Sequence, residues 1–306
     1  MRIPITFLYR DYEEMTVLYI QFAHFINCSY GDLDCLQNKT TSEIISAQIL
    51  SEKRIVSLRV LEYFEPWAPW LDGENIKGQL LDLDSWLRYQ NFTLKPFMIG
   101  TLTEECILSI YNEWKEPMSE YAYVSVMTVT LKGAAHKVLD EYPPQKNSTD
   151  QRNLMAEFTT RWVFSCSSRQ FLEAYISNSL SIDNIYYMYV FDFPLDFDGW
   201  NENQTYCKGH TCQGADLPYT FDIPDANFSS IGHAIAIDHI QYWSNFAKYQ
   251  TPNGNERMQK DTELYFWPEY DPKYRNNLRF RAPENRIEIG YLEKECDFLD
   301  SIGYNH

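Results

Sequence analysis

Two continuous apolar runs, Phe97-Met98-Ile99-Gly100 and Ile185-Tyr186-Tyr187-Met188-Tyr189-Val190-Phe191, show none of the polar alternation of a half-exposed strand. Such runs mark strands covered on both faces, and the segments between them are helical in period. Together they predict an α/β class with a mostly parallel sheet flanked by helices. Ile237, Ile240, Trp243, Phe246 and Ala247 recur at helical spacing, with Asp238, Ser244 and Lys248 between them. The spacing predicts an amphipathic helix that ends near Pro252 and lays this stripe in the core. No internal repeat or low-complexity block appears, and Gly and Pro are scattered, so residues 1–306 read as one domain.

Composition narrows the partners. Hydrophobic residues make up 44% of the chain, enough for a core of domain size. The 43 acidic residues outnumber 26 basic ones, for a formal charge of −17. A chain of that sign is repelled by polyanions, which argues against nucleic acid and anionic membranes as partners. No apolar run approaches the roughly 20 residues that a membrane-crossing helix needs.

Seven cysteines accompany six Asn-x-Ser/Thr sequons, at Asn27, Asn38, Asn91, Asn147, Asn203 and Asn227. The combination points to the secretory route, extracellular and disulfide-bonded. The first ten residues, broken by Pro4 and lacking a small-residue cleavage site, do not read as a signal peptide. One resolution is a sequence whose beginning lies upstream of Met1.

Read in order, local patterns along nearly the whole chain resemble the carboxylesterase type B family, which includes the cholinesterases. Asp34-Cys35-Leu36 after Cys28 is similar to the family's small early disulfide loop, and Pro66 to Gly73 resembles its P-x-x-D-G segment. Lys95 to Gly100 with Glu104-Glu105 resembles the strand and turn that carry the triad acid. Cys207 to Phe221 resembles the loop that carries the triad histidine. Tyr242 to Ala247 with Pro252-Asn253 is similar to the family's YWxNFA…PN helix, and Trp267 to Tyr270 and Glu295 to Phe298 complete the order. Gln250 stands where the family usually has Gly. The resemblance implies the α/β-hydrolase fold, here its C-terminal portion, and pairs Cys28 with Cys35, Cys166 with Cys296 and Cys207 with Cys212. Cys106, where the family usually has Gly, is left over and reads as a buried small residue.

Ester hydrolysis on that fold needs a Ser on a strained G-x-S-x-G turn, a His to take its proton, a carboxylate to orient the His, and amides for the oxyanion. None of the twelve glycines in these 306 residues stands four positions from another. The resemblance implies that the chain begins shortly after the serine, so nucleophile and oxyanion loop belong to an N-terminal half outside it. Glu105 occupies the triad-acid position. At the triad-His position the family has His-Gly-x-Glu-Leu-Pro-Phe or a close variant, whereas this chain has Gln213-Gly214-Ala215-Asp216-Leu217-Pro218-Tyr219. An amide cannot take up a proton near neutral pH, so the base is lost. His210, three residues earlier, is the alternative base, although a Cys207 to Cys212 loop is expected to hold it away from the site.

His233 and His239, six apart, do not share a helical face as a zinc pair, and Asp192, Asp196 and Asp198 lack the Gly and closing Glu of a calcium loop; no metal or cofactor is implied. The sequence thus sets three readings. One is a carboxylesterase type B-like fragment, inactive as given; another is a truncated copy of an active serine ester hydrolase; the third is a non-catalytic cholinesterase-like binding or adhesion protein. Strands of an absent half would leave a bare sheet edge, so an N-terminal half or a protein partner is expected to complete the sheet, with an ester substrate only in the full domain.

Overall fold

Side-chain caps start the helices that precede the sheet. The computed structural model describes residues 9–53, 67–82, 95–177, 185–221, 223, 226–255 and 264–304. Asp11 accepts the Glu14 amide at the start of α1 (Tyr12–Phe25), Asp32 the Cys35 amide at α2 (Leu33–Gln37), and Thr40 the Glu43 amide at α3 (Thr41–Glu52). In α1 and α3 the Glu returns a bond to the cap residue's own amide, closing a capping box. The Cys28–Cys35 disulfide ties the end of α1 to α2.

The apolar runs are strands. β1 (Phe97–Leu102) pairs in parallel with β2 (Tyr186–Asp192), in the register Phe97 opposite Tyr186 and Leu102 opposite Phe191. A parallel pair needs a long crossover. Here it holds α4 (Ile107–Glu113), α5 (Glu120–Leu131), α6 (Ala135–Glu141), α7 (Arg152–Thr159), a π-helical turn over Thr160–Ser165, and α8 (Cys166–Ser177). A second crossover carries α9 (Leu217–Phe221) and α10 (Ser230–Tyr249) to β3 (Asn276–Arg281), which pairs in parallel with β2. β4 (Arg286–Ile289) folds back antiparallel on β3, and α11 (Glu293–Ile302) follows. The sheet order is β1-β2-β3-β4, and among the described residues β1 is paired on one side only.

Both faces of β1 and β2 are covered, which is why these two strands read as unbroken apolar runs. On one face Met98, Leu102, Tyr187, Tyr189, Phe191 and Phe280 pack against α10 and Trp267. On the other, Ile99, Tyr186 and Met188 meet Phe171, Leu172 and Tyr175 of α8. The Cys166–Cys296 disulfide joins α8 to α11, and Arg169, buried beside it, reaches Asp297 at 2.9 Å and also pairs with Asp300.

The buried stripe of α10 differs from the predicted one. Ile237 is half-exposed at 50%, and Ala247 is exposed. Trp243 and Phe246 do pack, partly buried, against the core, but the fully buried positions are Ile235, Ala236, His239, Tyr242 and Asn245. Polar residues can take these places because each has a hydrogen-bond partner. His239 meets Thr220 Oγ1 at 3.1 Å, Tyr242 donates its hydroxyl to the Tyr265 carbonyl at 2.8 Å, and Asn245 donates to the Pro252 carbonyl at 2.9 Å. Asn253 then clamps the Trp267 backbone from both sides, accepting its N–H at 2.7 Å and donating to its carbonyl at 2.8 Å. A polarity pattern cannot register partners that come from other segments.

Gln250 caps the C-terminus of α10 in the left-handed conformation, with φ of 61°. A side chain there costs about 1 kcal/mol that glycine avoids. Gln250→Gly is therefore expected to raise stability by about 1 kcal/mol in a denaturant titration; an unchanged or lowered midpoint would contradict a strained cap.

Candidate functional site

The turn after β1 sends two adjacent carboxylates in opposite directions. Glu105, 1% exposed, folds back so that its Oε1 accepts the Leu102 N–H at 2.9 Å, closing the turn onto its own strand. Glu104 faces the loop that follows β2. Its Oε1 accepts from His210 Nδ1 at 2.8 Å and its Oε2 accepts the Thr211 N–H at 2.7 Å. The loop is closed by the Cys207–Cys212 disulfide, so Glu104 grips a small rigid ring. The turn bearing Glu105 and the loop bearing Gln213 are thereby held together at the carboxyl end of β1.

Gln213 follows Thr211 by two residues, so their Cα atoms are at most about 7.6 Å apart. It is half-buried, and its side chain makes no hydrogen bond with another described residue. Gly214 beside it takes φ of 93°, a conformation that favours glycine, and the Ala215 amide bonds the Cys212 carbonyl at 2.9 Å to lead into α9. His210 does reach the strand end despite the disulfide ring, but its partner is Glu104 and not Glu105. With Nδ1 donating to the carboxylate, Nε2 is the nitrogen left for other contacts.

Sequence reasoning missed the role of Glu104. In Glu104-Glu105 either residue could face the loop, and only the turn geometry decides which. A cavity of about 320 Å³ opens beside the pair, between α4, α7 and the disulfide loop. Besides Glu104 and His210, its lining includes Asn153, Glu157 and Arg161, with Thr103 and Thr160 from the neighbouring turns.

The other candidates have separate duties. Asp192 accepts from Thr103 at 3.0 Å and pairs with Arg279 at 2.7 Å, tying together the three parallel strands. Asp196 accepts from the Tyr219 hydroxyl at 3.0 Å and holds Ser229 at the start of α10, and Asp198 pairs with Lys208 at 2.9 Å. His239 is buried against the Trp243 ring, 3.9 Å between centroids, while His233 is exposed. Among the described residues no group of three His, Cys, Asp or Glu is placed to hold a metal. Asn27, Asn38, Asn147, Asn203 and Asn227 are all exposed; Asn91 and Pro66 lie outside the described residues. No described helix is long and apolar enough to cross a membrane.

Cys106 is buried at the start of α4, and its N–H donates to Thr160 Oγ1 at 3.0 Å. Burial pushes its thiol up to about 12. An unfolded thiol ionises from about pH 8.5. The unfolded state therefore binds fewer protons between there and pH 12, and stability falls as pH rises through that window. Stability measured from pH 8 to 11 is expected to fall less steeply for Cys106→Ala than for the parent chain; identical slopes would contradict a buried, protonated thiol.

Residues 13–299 match the family model of the carboxylesterase family. The chain is 25% identical over 292 residues to the crystal protein of Dictyostelium discoideum, covering 93% of this chain and 50% of that one. It is 26% identical over 238 residues to the cAMP-regulated D2 protein of the same organism, covering 76% and 42%. To acetylcholinesterase 1 of Caenorhabditis elegans it is 22% identical over 298 residues, covering 87% and 45%. Among solved structures PNB esterase superimposes with a TM-score of 0.65 at 18% identity, covering 95% of this chain and 55% of the esterase. The chain spans about half the length of the curated relatives it matches. Its fold is that of the α/β-hydrolases, and the chain belongs to the carboxylesterase family.

Proposed function

We propose that residues 1–306 form the C-terminal half of a carboxylesterase-type domain that binds and does not hydrolyse. The observation that supports this reading most is Gln213, on a loop clamped beside the Glu105 turn, where the family resemblance places the proton-accepting histidine. An amide there offers a donor and an acceptor but no base, so a serine brought to this edge from elsewhere stays a neutral hydroxyl and a poor nucleophile. The edge of β1 away from β2 suits a further parallel strand, from an N-terminal half or a partner chain. Three disulfides and five exposed sequon asparagines suit a secreted glycoprotein.

A second reading has one specific observation in its favour, the 2.8 Å bond from His210 Nδ1 to Glu104. A carboxylate that orients an imidazole through Nδ1 is the pair a general base uses, and His210 would then serve a nucleophile supplied by the rest of an active hydrolase. Misplacement counts against it, because the pair is built on neither Glu105 nor the residue at the histidine position.

The natural polypeptide, isolated with whatever precedes Met1, separates the two. Incubation with a fluorophosphonate and intact-mass spectrometry after deglycosylation is expected to show no adduct. An adduct on one serine, with ester turnover lost in His210→Ala, would establish the hydrolase reading instead.

A further inference from the structure

We infer that an exposed aromatic ridge, formed by Trp70, Tyr12, Tyr30 and Tyr19, is a docking surface for a basic, arginine-bearing segment of a partner protein. The inference goes beyond the binding reading above, since none of these residues belongs to the Gln213 edge. Single exposed aromatics are ordinary, whereas rings in mutual contact form a patch. Tyr12 and Trp70 lie 5.7 Å apart between ring centroids, and Tyr19 and Tyr30 lie 5.2 Å apart. The Tyr30 hydroxyl joins the two pairs through a bond to that of Tyr12, which raises its pKa above the ordinary tyrosine value. Yet Tyr12 is 60% exposed, Tyr30 58% and Trp70 38%.

The fold restrains Tyr30 without burying it. Tyr30 sits inside the ring closed by the Cys28–Cys35 disulfide, which removes conformations from the loop. Gly31, at φ of 82°, donates its N–H to the Tyr19 hydroxyl at 3.2 Å, and Asp32 accepts the Cys35 N–H at 2.9 Å. Tyr12, Thr16 and Tyr19 follow one another at i, i+4 and i+7 on α1, and Tyr30 touches all three of this stripe. An aromatic side chain fixed in this way has little freedom left to lose when a partner arrives. Tyrosine and tryptophan are also the residues, with arginine, that dominate the energetics of protein interfaces.

Charge and ring geometry select the partner. Residues 9–53 carry seven carboxylates against three basic side chains, of which Arg10 is buried. Glu13, next to Tyr12, and Asp34, in the Tyr30 loop, are both exposed. A second copy of the chain brings the same net charge of −17 and is repelled, as is any anionic partner. The touching rings are tilted by 48° and 57°, so they give no flat platform for a polysaccharide strand or a stack of bases. A guanidinium suits what is left. It lies against an aromatic face, forks onto a carboxylate, and rests its methylenes on apolar surface. Val17, 57% exposed, and Ile20, 50% exposed, supply such surface on the next turns of α1.

The test titrates the natural polypeptide by calorimetry with a blocked peptide of alternating arginine and glycine, beside lysine–glycine and glutamate–glycine peptides and cellohexaose. The arginine peptide is expected to saturate with a Kd below about 100 μM, and the lysine peptide to bind at least about fivefold more weakly. Tyr30→Ala removes an exposed ring, thermal melting confirms its fold, and it is expected to weaken the arginine peptide at least about fivefold. Glu13→Gln combined with Asp34→Asn leaves every ring in place and is expected to weaken it at least about threefold. The proposal is overturned if the arginine peptide does not saturate, or if the glutamate peptide or cellohexaose binds more tightly. It is equally overturned if either folded variant binds unchanged, or if the lysine peptide binds as tightly, which would reduce the effect to attraction by net charge. A fluorophosphonate adduct, which would overturn the binding reading itself, is a different readout and leaves this titration interpretable.

Discussion

Parallel pairing of β1, β2 and β3 forces their carboxyl ends onto one edge of the sheet, and the candidate site is built on that edge. Asp192 locks the three ends together through Thr103 and Arg279. The turn after β1 and the loop after β2 must then leave the sheet side by side, and Glu104 joins them. Its side chain is 36% exposed, so the His210 contact by itself contributes at most about 1 kcal/mol. The contact is effective because the disulfide has already reduced the loop to a ring with few conformations to lose. Geometry is fixed by many modest restraints and by no single strong one.

The chemistry of the edge follows from which residues that geometry delivers. A triad fails as a unit when its base is absent, however well acid and loop are placed. Glu105 keeps a structural task in any case, since its carboxylate takes a strand-end amide that would otherwise need another partner. An acid at this position is thus no sign of activity, and in the proposed reading Gln213 is the residue that decides.

Sequence carried the fold further than the site. Fully buried strands announce themselves as unbroken apolar runs, and both runs are strands within two residues of the predicted ends. The helix over Ser230–Tyr249 was equally plain from its period, but its buried face was not. His239, Tyr242 and Asn245 are inside because Thr220, Tyr265 and Pro252 receive them, and such partners outside the helix leave no mark on its polarity pattern. The same limit hid Glu104. Two neighbouring glutamates are equivalent on paper; one turn makes the first a clamp and the second a plug for its own strand. Gln213 is singled out by the sequence alone, as an expectation, because a change of chemical type from the family pattern shows in a residue name.

The proposal turns on one claim, that this chain offers no proton acceptor at the position that the family resemblance gives to the triad histidine. Steady-state hydrolysis of p-nitrophenyl acetate by the natural polypeptide, with Gln213→His measured beside it, tests that most directly. The account predicts a parent rate equal to the buffer rate across pH 6 to 9. Saturable turnover by the parent, unchanged or reduced in Gln213→His, would contradict it.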